Sequence, residues 1–285
     1  MDICGSVGRL IASDRGGRKV SSLFRSGFLD EAGKLLEGAS RVAVVTGFFV
    51  PACGSPETDG PGGAVALGRS VEKSGREAAL FTDRLCLEAV KACSASVGGP
   101  AVLEAAGAEE ILAFGPDLIV FIERLGRAED GRYYNMRAED VTATTAPLDE
   151  AALSGNGLKV LAVGDGGNEA GMGLFRRELA ELLPGYASCL SVVEADAALP
   201  VDVSDWGGYA LASLLSVGCG EWIGPEEDET GCMLDALISA GAVDGVTRRR
   251  EPTVDGFPEG EHKHVIRELK ELVTSRLRNF GKELA

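Results

Sequence analysis

The chain has 285 residues, 45% hydrophobic and 25% charged; these ordinary globular values exclude global disorder, and its 39 glycines follow no collagen-like period. With 28 basic against 44 acidic residues the net charge is −16, which repels nucleic acid and anionic membranes, so neither is expected as a partner. Seven cysteines without a Cys-x-x-Cys pair exclude a zinc ribbon or disulfide framework, and no apolar run approaches the ~18–20 residues of a membrane span. The N-terminus has no basic, then apolar, leader pattern, so a cytoplasmic protein is expected.

Residues 1–41 carry two short helical patterns around the polar loop Ser13-Asp14-Arg15-Gly16-Gly17-Arg18, an N-terminal extension of a single domain spanning 1–285. Short, nearly continuous apolar runs then recur at 41–47, 78–82, 118–122, 159–163 and 189–193, as expected of strands covered on both faces. Helical periodicity lies between and after them, at 64–73, 84–95, 174–183, 207–216, 232–240 and 260–281. Strands alternating with helices predict an α/β fold. Its sheet is doubly wound and mostly parallel with helices on both faces, Rossmann-like but without a dinucleotide fingerprint.

In such a sheet ligands bind beyond the carboxyl ends of the strands, so the residues after each run are the candidates. They are Thr46-Gly47, Thr82-Asp83, Glu123-Arg124, Gly164-Asp165-Gly166-Gly167-Asn168-Glu169, and Glu194-Ala195-Asp196. The fourth turn is the densest. Its glycines allow backbone amides to approach an anion, and a following helix N-terminus would add positive dipole. It fits neither G-x-G-x-x-G nor a P-loop, and a tight βα turn is the competing reading.

The third turn runs from Glu123 to Arg137 and offers Arg124, Arg127 and Arg137 with Tyr134 and Asn135. Guanidinium groups grip carboxylates bidentately, although neighbouring acids also suit a solvated, ion-paired loop. Asp59, before Gly60-Pro61-Gly62-Gly63, either caps the next helix or faces a ligand. Ser204-Asp205-Trp206-Gly207-Gly208 repeats that pattern. His262 and His264 are two residues apart, on different faces of a helix, which excludes a metal pair and leaves acid–base work to carboxylates or tyrosine.

These motifs together resemble the C-terminal domain of D-glutamate cyclases. They are Thr46-Gly47-Phe48-Phe49, Glu57-Thr58-Asp59-Gly60-Pro61-Gly62, Ile122-Glu123-Arg124 with Gly126-Arg127, Asp130-Gly131, Tyr133-Tyr134-Asn135-Met136-Arg137, Gly164–Glu169 with Gly171-Met172-Gly173, and Ser204-Asp205-Trp206-Gly207. The resemblance covers about residues 5–280 and implies conversion of D-glutamate to 5-oxo-D-proline with loss of water. Two-part members carry a further N-terminal region, so the implied partners are a small anionic amino acid and a separate subunit or gene product supplying that region.

The residues themselves suggest the roles. Asp165 and Glu169 would exchange protons, with Glu123 in reserve. Arg124, Arg127 and Arg137 would hold carboxylates, and the amides of Gly164–Gly167 would stabilise an oxyanion. Thr46, Asp59, Tyr134, Asn135, Gly166, Gly167 and Asn168 complete the expected substrate contacts. Two alternatives stay open: a non-catalytic or regulatory binding domain for an amino acid or small anion, and a metal-assisted enzyme acting on a phosphorylated small molecule. The spacing fixes no cofactor, but Asp59, Glu123, Asp165 and Glu169 are hard oxygen donors suited to a divalent cation.

Overall fold

The computed structural model describes residues 3–155 and 157–283. Helices α1 (Ile3–Ile11) and α2 (Ser26–Gly38) precede strand β1 (Arg41–Thr46). A small hairpin of β2 (Phe49–Val50) and β3 (Ser55–Pro56) leads to α3 (Pro61–Lys73), then β4 (Glu77–Thr82), α4 (Leu87–Ser96), β5 (Val102–Glu104), α5 (Ala108–Ala113) and β6 (Leu118–Ile122). After a long loop come β7 (Lys159–Gly164), α6 (Arg176–Leu182), β8 (Ala197–Pro200), α7 (Ser204–Cys219) and α8 (Glu227–Ser239). The hairpin β9 (Thr253–Val254) and β10 (Phe257–Pro258) and the long α9 (Glu259–Glu283) close the chain.

Among the described residues the main sheet has six strands, all parallel, in the order β5-β4-β1-β6-β7-β8. Alternate residues of each strand enter different cores, as a pleat requires. Val42, Val44, Leu118, Val120, Leu161 and Val163 pack beneath α1–α4 and α7–α9. Ala43, Val45, Ile119, Phe121, Val160 and Ala162 pack with Ile111 of α5, Leu148 and Ala151 of a 3₁₀ turn, and Leu179 of α6. Helices on both faces explain why the strand sequences are apolar throughout rather than alternating. The chain leaves β1 toward one edge of the sheet and returns to its other side at β6. The strand order therefore reverses between β1 and β6, where an open α/β sheet has its ligand crevice.

Two expectations are corrected. Cys189–Val193 is not a strand. A 3₁₀ turn ends at Cys189, and the following amides bond to loops, Ser191 N to Gly167 O at 3.0 Å and Val192 N to Arg127 O at 2.9 Å. The strand beside β7 is instead the edge strand Ala197–Pro200, whose small residues carry little β signal. Consequently Asp196 lies at the opposite end of the sheet, accepting from Val160 N at 2.9 Å near the start of β7. The short edge strand β5 also had no clear sequence pattern.

Candidate active site

The site begins where two helices meet at glycines. A methyl on Gly208 would lie 2.5 Å from the backbone of Gly63, so α3 and α7 touch main chain to main chain at their first turns. That approach lets each helix cap the other. Asp59 accepts from the amides of Ser204 and Asp205 at 3.0 and 2.9 Å, while Asp205 accepts from Gly60 and Gly63 at 3.0 and 2.6 Å. Asp59 thus caps the helix that follows Ser204, rather than the one it precedes. Burial raises the pKa of both groups, that of Asp205 to about 7 against the pull of its amide donors.

The glycine-rich turn after β7 is organised from within. Glu169, fully buried, accepts from Asp165 N at 2.9 Å, Gly166 N at 2.6 Å and Gly167 N at 2.7 Å. The amides expected to cradle an oxyanion are therefore occupied by the protein's own carboxylate. The helix expected to open at this turn starts only at Arg176, after a 3₁₀ turn at Gly173–Phe175, so no helix dipole points into it.

The arginines separate in the same way. Arg124 is buried beneath the site, its guanidinium on Asp83 at 2.7 Å, on the Gly47 carbonyl at 2.9 Å and on the Ala146 carbonyl. Arg127 is held by Asp149 and Glu150. Neither guanidinium is placed to grip a ligand. Arg137 is exposed at the mouth of a cavity and reaches only the Gly245 and Val246 carbonyls, at 3.4–3.5 Å.

That cavity, about 280 Å³, is lined by Arg18, Glu57, Glu123, Asn135, Arg137 and Asn168, among others. Asn135 shapes its wall, accepting from the amides of Arg137 and Glu139. Tyr134 contributes its carbonyl to Asn168 Nδ2 at 2.8 Å, while its hydroxyl turns away to Asp130. Thr46 ends β1 in the crevice. Its hydroxyl is buried without a partner, and a methyl on Gly60 would sit 2.9 Å from it and 2.5 Å from Glu123 Cβ.

Two residues of this centre were not among the candidates read from the sequence. Arg18 enters from the N-terminal loop and forks between Asp165 Oδ1 and Asp255 Oδ1, the latter at 2.7 Å. The loop is pinned by Asp202, which accepts from the amides of Ser13 and Asp14. Asp255 sits at the tip of the β9–β10 hairpin, with φ of 54° there and 78° at Gly256. Asp-Gly between two short strands is a hairpin signal legible in sequence; that its carboxylate faces Asp165 is not.

The centre is crowded with acid. Oxygen atoms of Asp59, Asp165 and Asp255 lie within 4.8 Å of one another, as do those of Glu123, Asp165 and Glu169. Either trio could hold a metal ion. Desolvation and then mutual repulsion push Glu57, Asp59, Glu123 and Asp255 well above the usual carboxylate range. Burial carries Asp165 up to about 8 despite the opposing charge of Arg18. Glu123 adopts φ of 48°, a strained backbone for glutamate at a strand end in the ligand crevice.

A family model described as D-glutamate cyclase-like, C-terminal, matches residues 7–270. The chain belongs to this family. The human protein described as D-glutamate cyclase, mitochondrial, is 30% identical over an alignment 320 positions long, which covers 94% of this chain and 51% of the human one. The chain therefore spans about half the length of that curated relative. A solved structure of an exopolyphosphatase-related protein from Bacteroides fragilis aligns with a TM-score of 0.42 at 10% identity, covering 90% of this chain and 62% of the other. At that TM-score the likeness carries no argument. Among the described residues no helix is long and apolar enough to cross a membrane.

Proposed function

We propose that this member of the D-glutamate cyclase-like family is a carbon–oxygen lyase that closes D-glutamate to 5-oxo-D-proline and water in the cavity at the β1–β6 crevice. The observation that carries the reading is the cavity's mixed lining: the carboxyl groups of Glu57 and Glu123 together with the guanidinium groups of Arg18 and Arg137. A zwitterion with one ammonium and two carboxylates is complementary to that set. Arg137, exposed and bonded only to main-chain carbonyls among the described residues, suits a substrate carboxylate at the mouth. Glu57 and Glu123 suit the ammonium.

Ring closure forms a C–N bond to the γ-carboxyl carbon and breaks a C–O bond. Two protons leave nitrogen and both end on the departing oxygen, so the site must take and return protons rather than consume them. Glu123 lines the cavity and holds Ser204 Oγ at 2.7 Å, with Asp165 behind it. This pair is better placed for the exchange than Glu169, whose oxygens hold the turn. Folding the substrate into a near-attack geometry supplies much of the remaining acceleration, ~7–11 kcal/mol in favourable intramolecular cases.

The test is direct. Purified protein incubated with D-glutamate, with and without Mn²⁺, is assayed for 5-oxoproline by chiral chromatography, with L-glutamate as control. Turnover with a KM raised at least tenfold in Arg137→Ala supports the assignment; no product under either condition refutes it. A second reading is binding without turnover, which the same charged cavity lining would serve. Saturable calorimetric binding of D-glutamate with no product would establish it.

A further inference from the structure

Within the amino-acid reading of the cavity, on which the assignment rests, we propose that Glu57 receives the substrate's ammonium group and that Gly245 is the residue that positions it. The charged residues of the cavity lining are Arg18, Glu57, Glu123 and Arg137. Arg18 is committed to Asp165 and Asp255, and Glu123 accepts from Ser204 Oγ. Glu57 is only 8% exposed, and among the described residues its carboxylate receives no hydrogen-bond donor. A carboxylate taken this far out of water without a donor gains most from a cationic one. Its main chain is fixed on both sides: Glu57 N donates to Phe48 O at 2.8 Å, and Thr58 N to Val243 O at 3.0 Å.

Gly245 makes the room for that carboxylate. A methyl there would fall on Glu57 Oε1 and lie 2.5 Å from the carboxyl carbon, and the atoms nearest to it all belong to the Glu57 side chain. The backbone at Gly245 is outside the left-handed region, so its conformation does not itself ask for glycine. The surrounding loop is tied down by Asp244, which accepts from Val246 N and Thr247 N at 2.8 Å, Gly256 N at 2.7 Å and the Thr253 hydroxyl at 2.6 Å. The same loop carries the opposite charge, because Arg137 rests on the carbonyls of Gly245 and Val246. Burial pushes Glu57 well above the usual carboxylate range and Arg137 is among the cations that pull it back. The two charges thus sense one another, yet among the described residues they form no salt bridge. Opposite charges held apart against one loop leave a gap that a zwitterion bridges, ammonium to Glu57 and carboxylate to Arg137. An α-amino acid carries both groups on one carbon, which leaves the γ-carboxyl of glutamate for Glu123.

Calorimetric titration of the full chain tests this without turnover, using D-glutamate and glutarate, which has the same two carboxylates and no ammonium. Wild type should bind D-glutamate roughly tenfold or more tighter than glutarate. Glu57→Gln and, separately, Gly245→Ala should each lose that preference while binding glutarate about as wild type does. Gly245→Ala moves the far end of a flexible side chain and should melt as wild type, whereas a glycine needed only for packing would lower the melting temperature and leave the preference intact. Should one variant fail to fold, the other decides. Equal wild-type affinity for the two ligands, or a preference kept in either folded variant, overturns the assignment and leaves the lyase reading to its own turnover assay. Wild type that ignores D-glutamate but prefers another amino acid, D-aspartate or D-alanine or an L form, over its deaminated counterpart sinks the lyase reading; loss of that preference in the same two variants then upholds Glu57 and Gly245, and its retention overturns them. No binding of any of these amino acids up to ~10 mM overturns the assignment whatever the turnover assay gives.

Discussion

Replacing Glu169 by glutamine separates an anchor from a catalyst, because the two roles predict opposite phenotypes. The carboxylate receives three amides, two on Oε1 and one on Oε2. Glutamine has one acceptor oxygen. In its better orientation that oxygen keeps the Asp165 and Gly166 amides, and the new NH₂ group points at the Gly167 N–H. Two charge-assisted bonds become neutral, a loss of ~1 kcal/mol each, and one buried donor is orphaned at ~1–3 kcal/mol. The side chain has no room to turn away, since a methyl at Gly164 would lie 2.6 Å from its carboxyl carbon. Removing a charge that repels Glu123 and Asp165 returns part of the loss. The net cost is ~3 kcal/mol, which for a chain of this size lowers the melting temperature by roughly 5 °C. Calorimetry at neutral pH measures that shift, and hydrogen exchange should show the amides of residues 165–167 losing protection. A variant that melts as wild type yet has lost all turnover would refute the anchor and return Glu169 to the chemistry.

Three further outcomes follow from the same geometry. Gly208→Ala drives a methyl into the Gly63 backbone and should destabilise by ~3 kcal/mol, read as a lower urea midpoint with unchanged slope. Arg124→Met strands Asp83 without its cation in the core and should cost ~3–5 kcal/mol, whereas Arg137→Ala should leave the melting temperature within a degree or two and act on KM alone. His262 accepts from Trp206 Nε1 at 2.9 Å, and burial lowers its pKa to about 4. Because the folded state resists protonation, its contribution is complete above the ordinary value near 6.5 and is lost as pH falls toward 4, by ~3 kcal/mol in all. Subtracting the stability-versus-pH curve of His262→Gln from that of wild type should isolate this loss from the opposite trend of the raised carboxylates.

Much of the fold was legible because its strands are buried on both faces. Runs such as Val42-Ala43-Val44-Val45 and Leu118-Ile119-Val120-Phe121 leave no other reading, and their order with the helices implies a parallel sheet. Strand β8 escaped because Ala-Ala-Leu-Pro packs by smallness rather than by β-branching, while the more apolar Cys189–Val193 is spent on loop contacts. At the site, chain-local signals carried and distant ones did not. The Gly164–Glu169 turn stood out, but no local rule shows that Glu169 folds back on its own amides. Arg18 and Asp255 lie 237 residues apart and meet only through the tertiary fold. Arginine count was misleading for a physical reason: burying Arg124 against Asp83, or tying Arg127 to Asp149, uses the same side-chain chemistry as gripping a substrate.

What distinguishes scaffold from site among these acids is who donates to them. Asp205, Glu169 and Asp244 each accept two or more backbone amides, and Asp244 adds the Thr253 hydroxyl while holding the loop that delivers Asp255. Amide donors stabilise the charged form and fix it in place, so these groups gain little from a ligand. Asp165 and Asp255 instead share Arg18 through one oxygen each and face one another across the crevice. Such a group must take up a proton or a cation, and either choice leaves it responsive to what enters the crevice. Asp59 belongs to both sets, capping α7 while standing within reach of Asp165 and Asp255. It therefore ties the acidic centre directly to the α3–α7 crossing.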